Sequence, residues 1–205
     1  LDLIRRSGCL IAAPSANTSG RPSPTEAAHV AEDLSGKIAM IIDGGPVGIG
    51  IESTIIDLTE DTPMVLRPGY ITPQMLSKVL GKEVIIDPGI IAADDTRKPK
   101  APGMKYKHYA PKADMAIVDG TRKHVIAKIN ELVASHRDDG KKIAVIATEE
   151  TKQFYDADVV LSMGSRADED SIAHELYRIL RDCDELDVDV IFSESFSTPR
   201  IGQAI

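Results

Sequence analysis

A serine- and glycine-rich segment near the start of the sequence has the residue types of an anion-binding turn. Residues 14–21 read Pro-Ser-Ala-Asn-Thr-Ser-Gly-Arg, and they follow a short apolar run at 10–13 that predicts a buried strand. Hydroxyls, backbone N–H groups and a helix N-terminus can all point at phosphate oxygens at such a junction. Because Ser, Asn and Gly are also the common residues of turns, the composition of this serine-rich turn also allows an ordinary strand-to-helix loop.

The residues after this turn predict the start of a helix. In the sequence Ser23-Pro24-Thr25-Glu26, Ser23 can accept a hydrogen bond from the backbone N–H of Glu26, and Glu26 can reach back to the N–H of Ser23. Pro24 then occupies the first helical position, where its missing N–H costs nothing. Ser23 therefore has two candidate roles, as the cap of this helix or as a hydroxyl that contacts a ligand.

A glycine-rich loop and an arginine follow further along the chain. Residues 44–54 form the glycine-rich loop, whose spacing is not that of a dinucleotide fingerprint, and they lead into a predicted strand at 53–58. The hydroxyl of Ser53 suits a small polar substrate or an ordinary strand edge. Arg67, in an Arg-Pro-Gly sequence, carries a planar guanidinium that matches phosphate or carboxylate oxygens in pairs, although a solvated surface arginine has the same local sequence.

Residues 101–111 form a basic-aromatic segment that includes Lys105, Tyr106 and His108. A tyrosine or histidine ring can stack on a base, and a lysine can face phosphates. A plain linker is richer in Ser, Glu or Gly. Because aromatic residues make up only 4% of the whole sequence, their concentration here predicts contact with a ligand.

The hydrophobic pattern predicts an α/β protein with two regions. Strands at 38–42, 53–58 and 64–66 and a helix at 72–80 indicate a mixed layer, and the Pro-, Gly- and Lys-rich residues 88–112 read as a linker. Strands and helices then alternate, which predicts a small doubly wound parallel sheet. Its strands are predicted at 115–118, 142–148, 159–163 and 188–192, and its helices at 121–136 and 172–183.

Composition restricts the function further. The formal net charge of −8 excludes a surface that binds nucleic acid over its whole extent, but it allows a local basic pocket. Cys9 and Cys183 are too far apart in sequence to indicate a metal cluster or a disulfide framework, and we predict two buried free thiols in a reducing cytoplasm. We predict no membrane-spanning helix, because no apolar run reaches 18 residues. The strand-to-helix junction at 119–121 is a further place that could hold an anion, and a scaffold role is the alternative for that region.

Taken in order, four strings resemble one family. They are Ser-Ala-Asn-x-Ser-Gly, Gly-x-x-Ser-Thr-Ile-Ile-Asp, Arg-Pro-Gly and Pro-Gly-Met-Lys-Tyr-Lys-His-Tyr-Ala-Pro, and together they look like the YrdC-type threonylcarbamoyl-AMP synthases in their long form. The resemblance implies three parts: residues 1–87 as the C-terminal part of a YrdC-like mixed-sheet domain, 88–112 as a linker and lid, and 113–205 as a Rossmann-like parallel domain.

The family resemblance also implies an activity. Its members join L-threonine, bicarbonate and ATP, with Mg²⁺ bound to the triphosphate, and release threonylcarbamoyl-AMP and pyrophosphate. A tRNA-threonylcarbamoyl transferase complex then uses the product to modify an adenosine of tRNA, which implies a cytoplasmic protein and contact with tRNA. By motif, the implied site residues are Ser15, Asn17, Ser23 and Arg67 for ATP, Ala13 and Ser53 for threonine, and Lys105, Tyr106 and His108 for the lid.

The resemblance implies no protein nucleophile and no metal-ligating side chain, since the reaction needs positioning and charge neutralisation. Three features depart from the family pattern. The family's N-terminal nucleotide motif, rich in Lys and Arg, is absent, so we expect these 205 residues alone to be inactive. Ala101 stands where the family usually has Ser, and the second domain stops earlier than expected, at Ile205.

Two alternatives stay open at this point. The first is a non-catalytic double-stranded RNA-binding or ribosome-associated module, because YrdC-like folds present a basic concave surface. The acidic net charge disfavours it, since the cations of this chain cluster in the linker and not along one face. The second is a carbamoyl-transferring relative that uses another amine as its acceptor.

Overall fold

The computed structural model describes residues 2–91 and 110–196. Short elements predominate in the first range, and strand β1 pairs antiparallel with β2, which pairs parallel with β3. The predicted mixed sheet is therefore confirmed. The elements of this range are α1 (Asp2–Ser7), α2 (Ala27–Leu34), β1 (Ile55–Asp57), β2 (Met64–Arg67), α3 (Pro73–Leu80), β3 (Ile85–Ile86) and α4 (Pro88–Ile91).

The second range contains a four-stranded sheet in which all neighbouring strands are parallel. Its strand order is β4-β7-β5-β6, so the last strand of the described residues lies inside the sheet, and we call this the C-terminal sheet. The predicted parallel α/β arrangement is confirmed. The elements are β4 (Asp114–Val118), α5 (Arg122–Asp138), β5 (Ile143–Ala147), a 3₁₀ turn (Lys152–Phe154), β6 (Val159–Ser162), α6 (Glu169–Glu185) and β7 (Val190–Glu194).

Helices cover both faces of the C-terminal sheet. Alternate residues of β5 face opposite sides, so Ile143 and Val145 pack in one cluster with α5, whereas Ala144 and Ile146 pack in the other with α6. All five residues of β5 are buried. Burial on both faces explains why this strand is a continuous apolar run without polar alternation.

Helix α6 also contacts the first half of the chain, and one of these contacts is made at Gly50. The N–H of Gly50 donates to the carbonyl of Ala173 at 2.8 Å, and the N–H of Tyr177 donates to the carbonyl of Gly50 at 3.2 Å. In a regular helix, the N–H of Tyr177 and the carbonyl of Ala173, four residues earlier, are hydrogen-bond partners. The backbone of Gly50 bonds to both of these groups. A Cβ at position 50 would lie 2.0 Å from the carbonyl oxygen of His174, so this approach requires glycine.

Two predicted strands are wrong. Residues 10–13 and 38–42 form no strand, and Leu10, Met40 and Ile42 are exposed. A strand needs a partner for its N–H and C=O groups, and no strand of the described ranges pairs with either segment. Their apolar character is therefore insufficient to fix them as strands.

The capping box at Ser23 is also wrong, whereas the cap at Thr72 is present. Helix α2 begins at Ala27, and its N-cap Glu26 makes no side-chain cap hydrogen bond. Thr72 precedes α3 and accepts a hydrogen bond from the backbone N–H of Met75 at 3.3 Å, which satisfies one of the unpaired donors of the first turn. Ser23 therefore does not cap α2, and its hydroxyl contacts Glu52.

Both cysteines are free, as predicted, but their surroundings differ. Cys183 is buried on α6, as predicted, whereas the predicted burial of Cys9 is wrong, because its side chain is exposed. Burial, with a smaller contribution from Asp182 and Asp184, raises the pKa of the Cys183 thiol to about 12. Among the described residues, no helix has the length and apolar character required to cross a lipid bilayer.

Candidate functional site

Arg67, at the end of β2, faces the exit of the glycine-rich loop. Its Nε donates to the carbonyl of Ser53 at 3.1 Å, and its Nη2 donates to Ser53 Oγ at 3.0 Å. The antiparallel register that pairs Ile55 with Arg67 places these residues side by side. Two positions that the sequence predicts for threonine and ATP are therefore in direct contact.

The glycine of the Arg-Pro-Gly sequence, Gly69, lies close to the backbone of the glycine-rich loop. A Cβ built at this position would lie 2.4 Å from the carbonyl oxygen of Glu52 and 2.5 Å from the backbone nitrogen of Thr54. The chain after β2 therefore passes against the backbone of the loop exit, which only glycine permits. This close approach holds the chain after Arg67 against the same loop exit that Arg67 contacts.

Glu52 joins these residues to the serine-rich side. Ser23 Oγ donates to Glu52 Oε1 at 2.7 Å, and Glu52 Oε2 lies 3.3 Å from Arg67 Nη2. The Glu52 and Arg67 side chains are 20% and 15% exposed, so this ion pair is partly shielded from water. Sequence reasoning missed Glu52; the available signal was the need for a carboxylate to balance a partly buried arginine.

A pocket of about 420 Å³ lies beside Ser53. Its polar lining comes from Glu52, Ser53 and Thr54, and its apolar lining includes Ile51, Tyr70 and Leu76. The Thr54 hydroxyl donates to the carbonyl of Ile71 at 2.6 Å, which holds the pocket wall to the start of α3. A mostly apolar wall with a few converging polar groups is the usual form of a small-molecule site.

Asn17 shapes the serine-rich turn. Its Nδ2 donates to the carbonyls of Thr18 and Arg21, at 2.9 and 3.2 Å, and its Oδ1 is buried without a hydrogen-bond partner among the described residues. Ser15 and Ala13 are exposed and lie outside the network of Ser23, Glu52 and Arg67. The structure thus connects three of the predicted site residues, Ser23, Ser53 and Arg67.

An ion cluster anchors the serine-rich turn from behind. Asp33, at the end of α2, accepts hydrogen bonds from the N–H of Thr18 at 3.1 Å, from Arg21 and from Arg181 of α6 at 2.9 Å. Burial alone would raise the pKa of Asp33, but the hydrogen bonds from Arg181 and Thr18 and the charges of both arginines hold that pKa below its usual range. Asp33 is therefore charged at neutral pH.

The lid prediction lies outside the described residues, since Lys105, Tyr106 and His108 fall between the two described ranges. In the ranges 2–91 and 110–196, no group of three or more His, Cys, Asp or Glu side chains could hold a metal ion.

A second pocket lies at the carboxyl edge of the C-terminal sheet. It has a volume of about 150 Å³ and is lined by Gly120, Arg122, Arg166, Glu194 and Ser195. Several of its donors are already occupied, because Arg166 Nη2 lies 2.6 Å from Glu194 Oε2, and the N–H of Gly120 and the hydroxyl of Ser195 both donate to Asp119 Oδ1. The geometry therefore does not favour the anion site that the strand-to-helix junction at 119–121 suggested.

Two family models match the chain. The model described as "Threonylcarbamoyl-AMP synthase, C-terminal domain" matches residues 71–205, and the Sua5/YciO/YrdC model, described as "Telomere recombination", matches residues 1–69. The chain is 48% identical over 205 residues to the threonylcarbamoyl-AMP synthase of Bacillus subtilis strain 168, covering 100% of this chain and 57% of the relative.

Similar proteins extend to archaea and fungi. The threonylcarbamoyl-AMP synthase of Pyrococcus abyssi is 48% identical over 206 residues, covering 100% of this chain and 58% of the relative, and that of Schizosaccharomyces pombe is 36% identical over 215 residues, covering 100% and 52%. The crystal structure of P. abyssi Sua5 complexed with L-threonine has a TM-score of 0.87 at 48% identity, covering 98% of this chain and 57% of that one. The chain thus spans a little more than half the length of these relatives.

Proposed function

The chain belongs to the threonylcarbamoyl-AMP synthase family, and on this premise we propose that it forms part of an enzyme that makes threonylcarbamoyl-AMP from L-threonine, bicarbonate and ATP. The observation that carries the proposal is the connection of Ser23, Ser53 and Arg67 through Glu52 beside the pocket. The L-threonine bound to the similar P. abyssi protein supports the amino acid as one substrate.

The proposed reaction has two steps. The amino group of L-threonine adds to bicarbonate, water is lost and a carbamate forms. A carbamate oxygen then attacks the α-phosphorus of ATP, the bond from that phosphorus to the bridging oxygen breaks, and pyrophosphate leaves. Both steps depend on positioning and on neutralising phosphate charge, which agrees with a site built from hydroxyls and an arginine.

Each predicted residue has a place in this proposal. The Arg67 guanidinium neutralises phosphate oxygens, and the hydroxyls of Ser15 and Ser23 contact ATP while Asn17 keeps the turn in shape. The Ala13 backbone and the Ser53 hydroxyl bind threonine, next to the apolar wall that suits its methyl group. Lys105, Tyr106 and His108 belong to a lid, which would keep water away from the labile carbamate.

Magnesium and the downstream partners belong to the same proposal. Mg²⁺ arrives with the triphosphate, which agrees with its preference for phosphates and water over a cage of protein ligands. The product passes to a tRNA-threonylcarbamoyl transferase complex, which transfers the threonylcarbamoyl group to tRNA. We propose a cytoplasmic location for the protein, where it would meet that complex and contact tRNA. The formal net charge of −8 argues against the RNA-binding alternative.

ATP–pyrophosphate exchange on the protein at its full natural length tests the proposal. We expect exchange that requires both threonine and bicarbonate, and exchange that is indifferent to threonine would overturn the proposal and favour another amine acceptor. Residues 1–205 alone should give no exchange, because the relatives use a longer chain.

A matched pair of substitutions tests the site residues. Arg67→Lys keeps the positive charge but loses the paired donors, so kcat/KM for ATP should fall by about ten- to a hundredfold. Arg137→Lys is the control, since Arg137 is a half-exposed arginine on α5 that pairs with Asp156. Equal activity of the two variants would remove Arg67 from the ATP site.

A further inference from the structure

Arg181 reaches from α6 across to the serine-rich side of the site. Its side chain is fully buried, and its Nε and Nη2 both donate to the carbonyl of Pro22, at 3.0 and 2.7 Å. Nη2 also donates to Asp33 Oδ2 at 2.9 Å, and Nη1 lies 3.4 Å from Glu32 Oε2. A fully buried arginine is stable only with such a complete set of partners.

The contact at Pro22 matters because of its neighbour in the sequence. Pro22 immediately precedes Ser23, whose hydroxyl is bonded to Glu52, which in turn contacts Arg67. Asp33, the other main partner of Arg181, also holds the N–H of Thr18 and the side chain of Arg21. The second half of the serine-rich turn, and the proline that follows it, are therefore tied to one guanidinium of the C-terminal domain.

A second contact closes the same interface. Asp184, one turn after Arg181 on α6, accepts a hydrogen bond from the backbone N–H of Lys112 at 2.7 Å and lies 3.7 Å from Arg21. Lys112 is the last residue of the linker and directly follows the basic-aromatic segment. Helix α6 thus contacts the turn and the end of the linker together.

We infer that Arg181 is a positioning residue for the nucleotide-contacting turn, so that the C-terminal domain sets the geometry of the active site. This inference rests on the proposed function for the identity of the ligand, ATP. Arg181 does not line the pocket, and it acts through the Pro22 carbonyl and the Asp33 carboxylate. A lysine cannot replace it, because an ammonium lacks the planar fork that spans both acceptors.

Three variants of the protein at its full natural length test the inference. Arg181→Lys and Arg181→Met remove the fork, and Arg178→Met is the matched control on the same helix, since Arg178 pairs there with Glu175 and Asp182. Hydrogen exchange is followed in a peptide covering 14–26 and in one covering β5, and KM and kcat are measured in the pyrophosphate exchange assay.

We expect both Arg181 variants to exchange faster at 14–26 with unchanged protection of β5, and the Arg178 variant to match the wild type in both peptides. The KM for ATP should rise, and the combined loss in kcat/KM should approach about a hundredfold, because small misplacements of a binding group cost that much. Arg181→Lys should recover only a minor part of the loss.

Three results would overturn the inference. The first is wild-type exchange at 14–26 in a variant that keeps β5 protected. The second is loss of β5 protection in both Arg181 variants, since Arg181 would then support the C-terminal sheet and not the turn. The third is a fall in kcat with an unchanged KM. Hydrogen exchange is measured without turnover. If the wild-type protein shows no threonine-dependent ATP–pyrophosphate exchange, that result contradicts the proposed function and leaves the inference about Arg181 to be decided by hydrogen exchange.

Discussion

The two described ranges of this chain contain similar proportions of apolar residues but bury them to different extents. In 110–196, β5 and β7 are buried along their whole length, and two helices cover the sheet. In 2–91, apolar side chains such as Leu10, Met40 and Ile42 lie exposed, and the longest strand has four residues.

The difference teaches that a strand depends on its neighbours more than on its own composition. Each strand of the C-terminal sheet finds a parallel partner within the same range, so its backbone donors and acceptors are satisfied. The segments 10–13 and 38–42 have no such partner among the described strands. The first range is held in place mainly where it touches α6, at Gly50 and at the Arg181 cluster.

Truncation should have the largest effect. We expect the isolated fragment of residues 110–205 to fold and to unfold in one cooperative transition, because both buried clusters have most of their members there. Residues 1–91 alone should show no cooperative transition by circular dichroism, since their hydrophobic residues are largely exposed. A cooperative transition in the 1–91 fragment would break the comparison between the two ranges.

Matched cavity mutations should sharpen the comparison. Ile146→Ala deletes a fully buried side chain from β5 and should lower the free energy of unfolding by about 2–5 kcal/mol. Met40→Ala removes a side chain that is 76% exposed, and its effect should stay within about 0.5 kcal/mol. Urea denaturation measures both, and equal effects would contradict the assignment of the core to the C-terminal sheet.

Two glycines test the contact between the ranges. Gly50→Ala places a Cβ against the backbone of α6 and should destabilise the protein by about 1–3 kcal/mol in the same urea experiment. Gly48→Ala is the control, because a Cβ at position 48 meets nothing within 4 Å. If the two variants are equally stable, Gly50 does not hold the first range against α6.

The smallest effect should come from His29, which is buried in α2 and accepts a hydrogen bond from the N–H of Thr25 at 3.1 Å. Burial, and next the charge of Arg181, lower the pKa of His29 below its usual value, although nearby carboxylates act in the opposite direction. The unfolded chain therefore binds this proton more readily, and the stability that neutral His29 contributes is present above about pH 6.5 and is lost as pH falls through the lowered pKa.

The measurement for this prediction is the free energy of unfolding between pH 7.5 and 5.5. His29→Asn should show a weaker decline on acidification than the wild type, with a difference limited to about 1.4 kcal/mol per pH unit. A steeper decline in the variant would mean that His29 takes up its proton more easily in the folded protein.

Local sequence predicted the elements that have a long apolar run or a clear helical periodicity. The parallel sheet and its two helices follow from the apolar pattern, and the structure confirms them. The strands at 10–13 and 38–42 and the capping box at Ser23 are wrong, since a pattern does not reveal whether a partner strand exists or whether another acceptor competes for a hydroxyl.

The site was partly predictable for the same reason. Ser23, Ser53 and Arg67 were recognisable by residue type, and the structure joins them, while their roles stay predictions. Glu52 and Arg181 were missed, because the partners of both residues lie elsewhere in the sequence and only the fold brings them together. No local signal indicates such a contact.

The position of β7 has a consequence for protein synthesis. This strand lies between β4 and β5, and its register pairs Asp114 with Val190, yet it is the last strand of the sheet to leave the ribosome. The inner pairing of the sheet therefore cannot close during translation of the first three strands, and such distant pairings are slow to form. The nascent chain should acquire the contacts between α6 and the serine-rich turn only after α6 has been synthesised, long after the turn itself has left the ribosome.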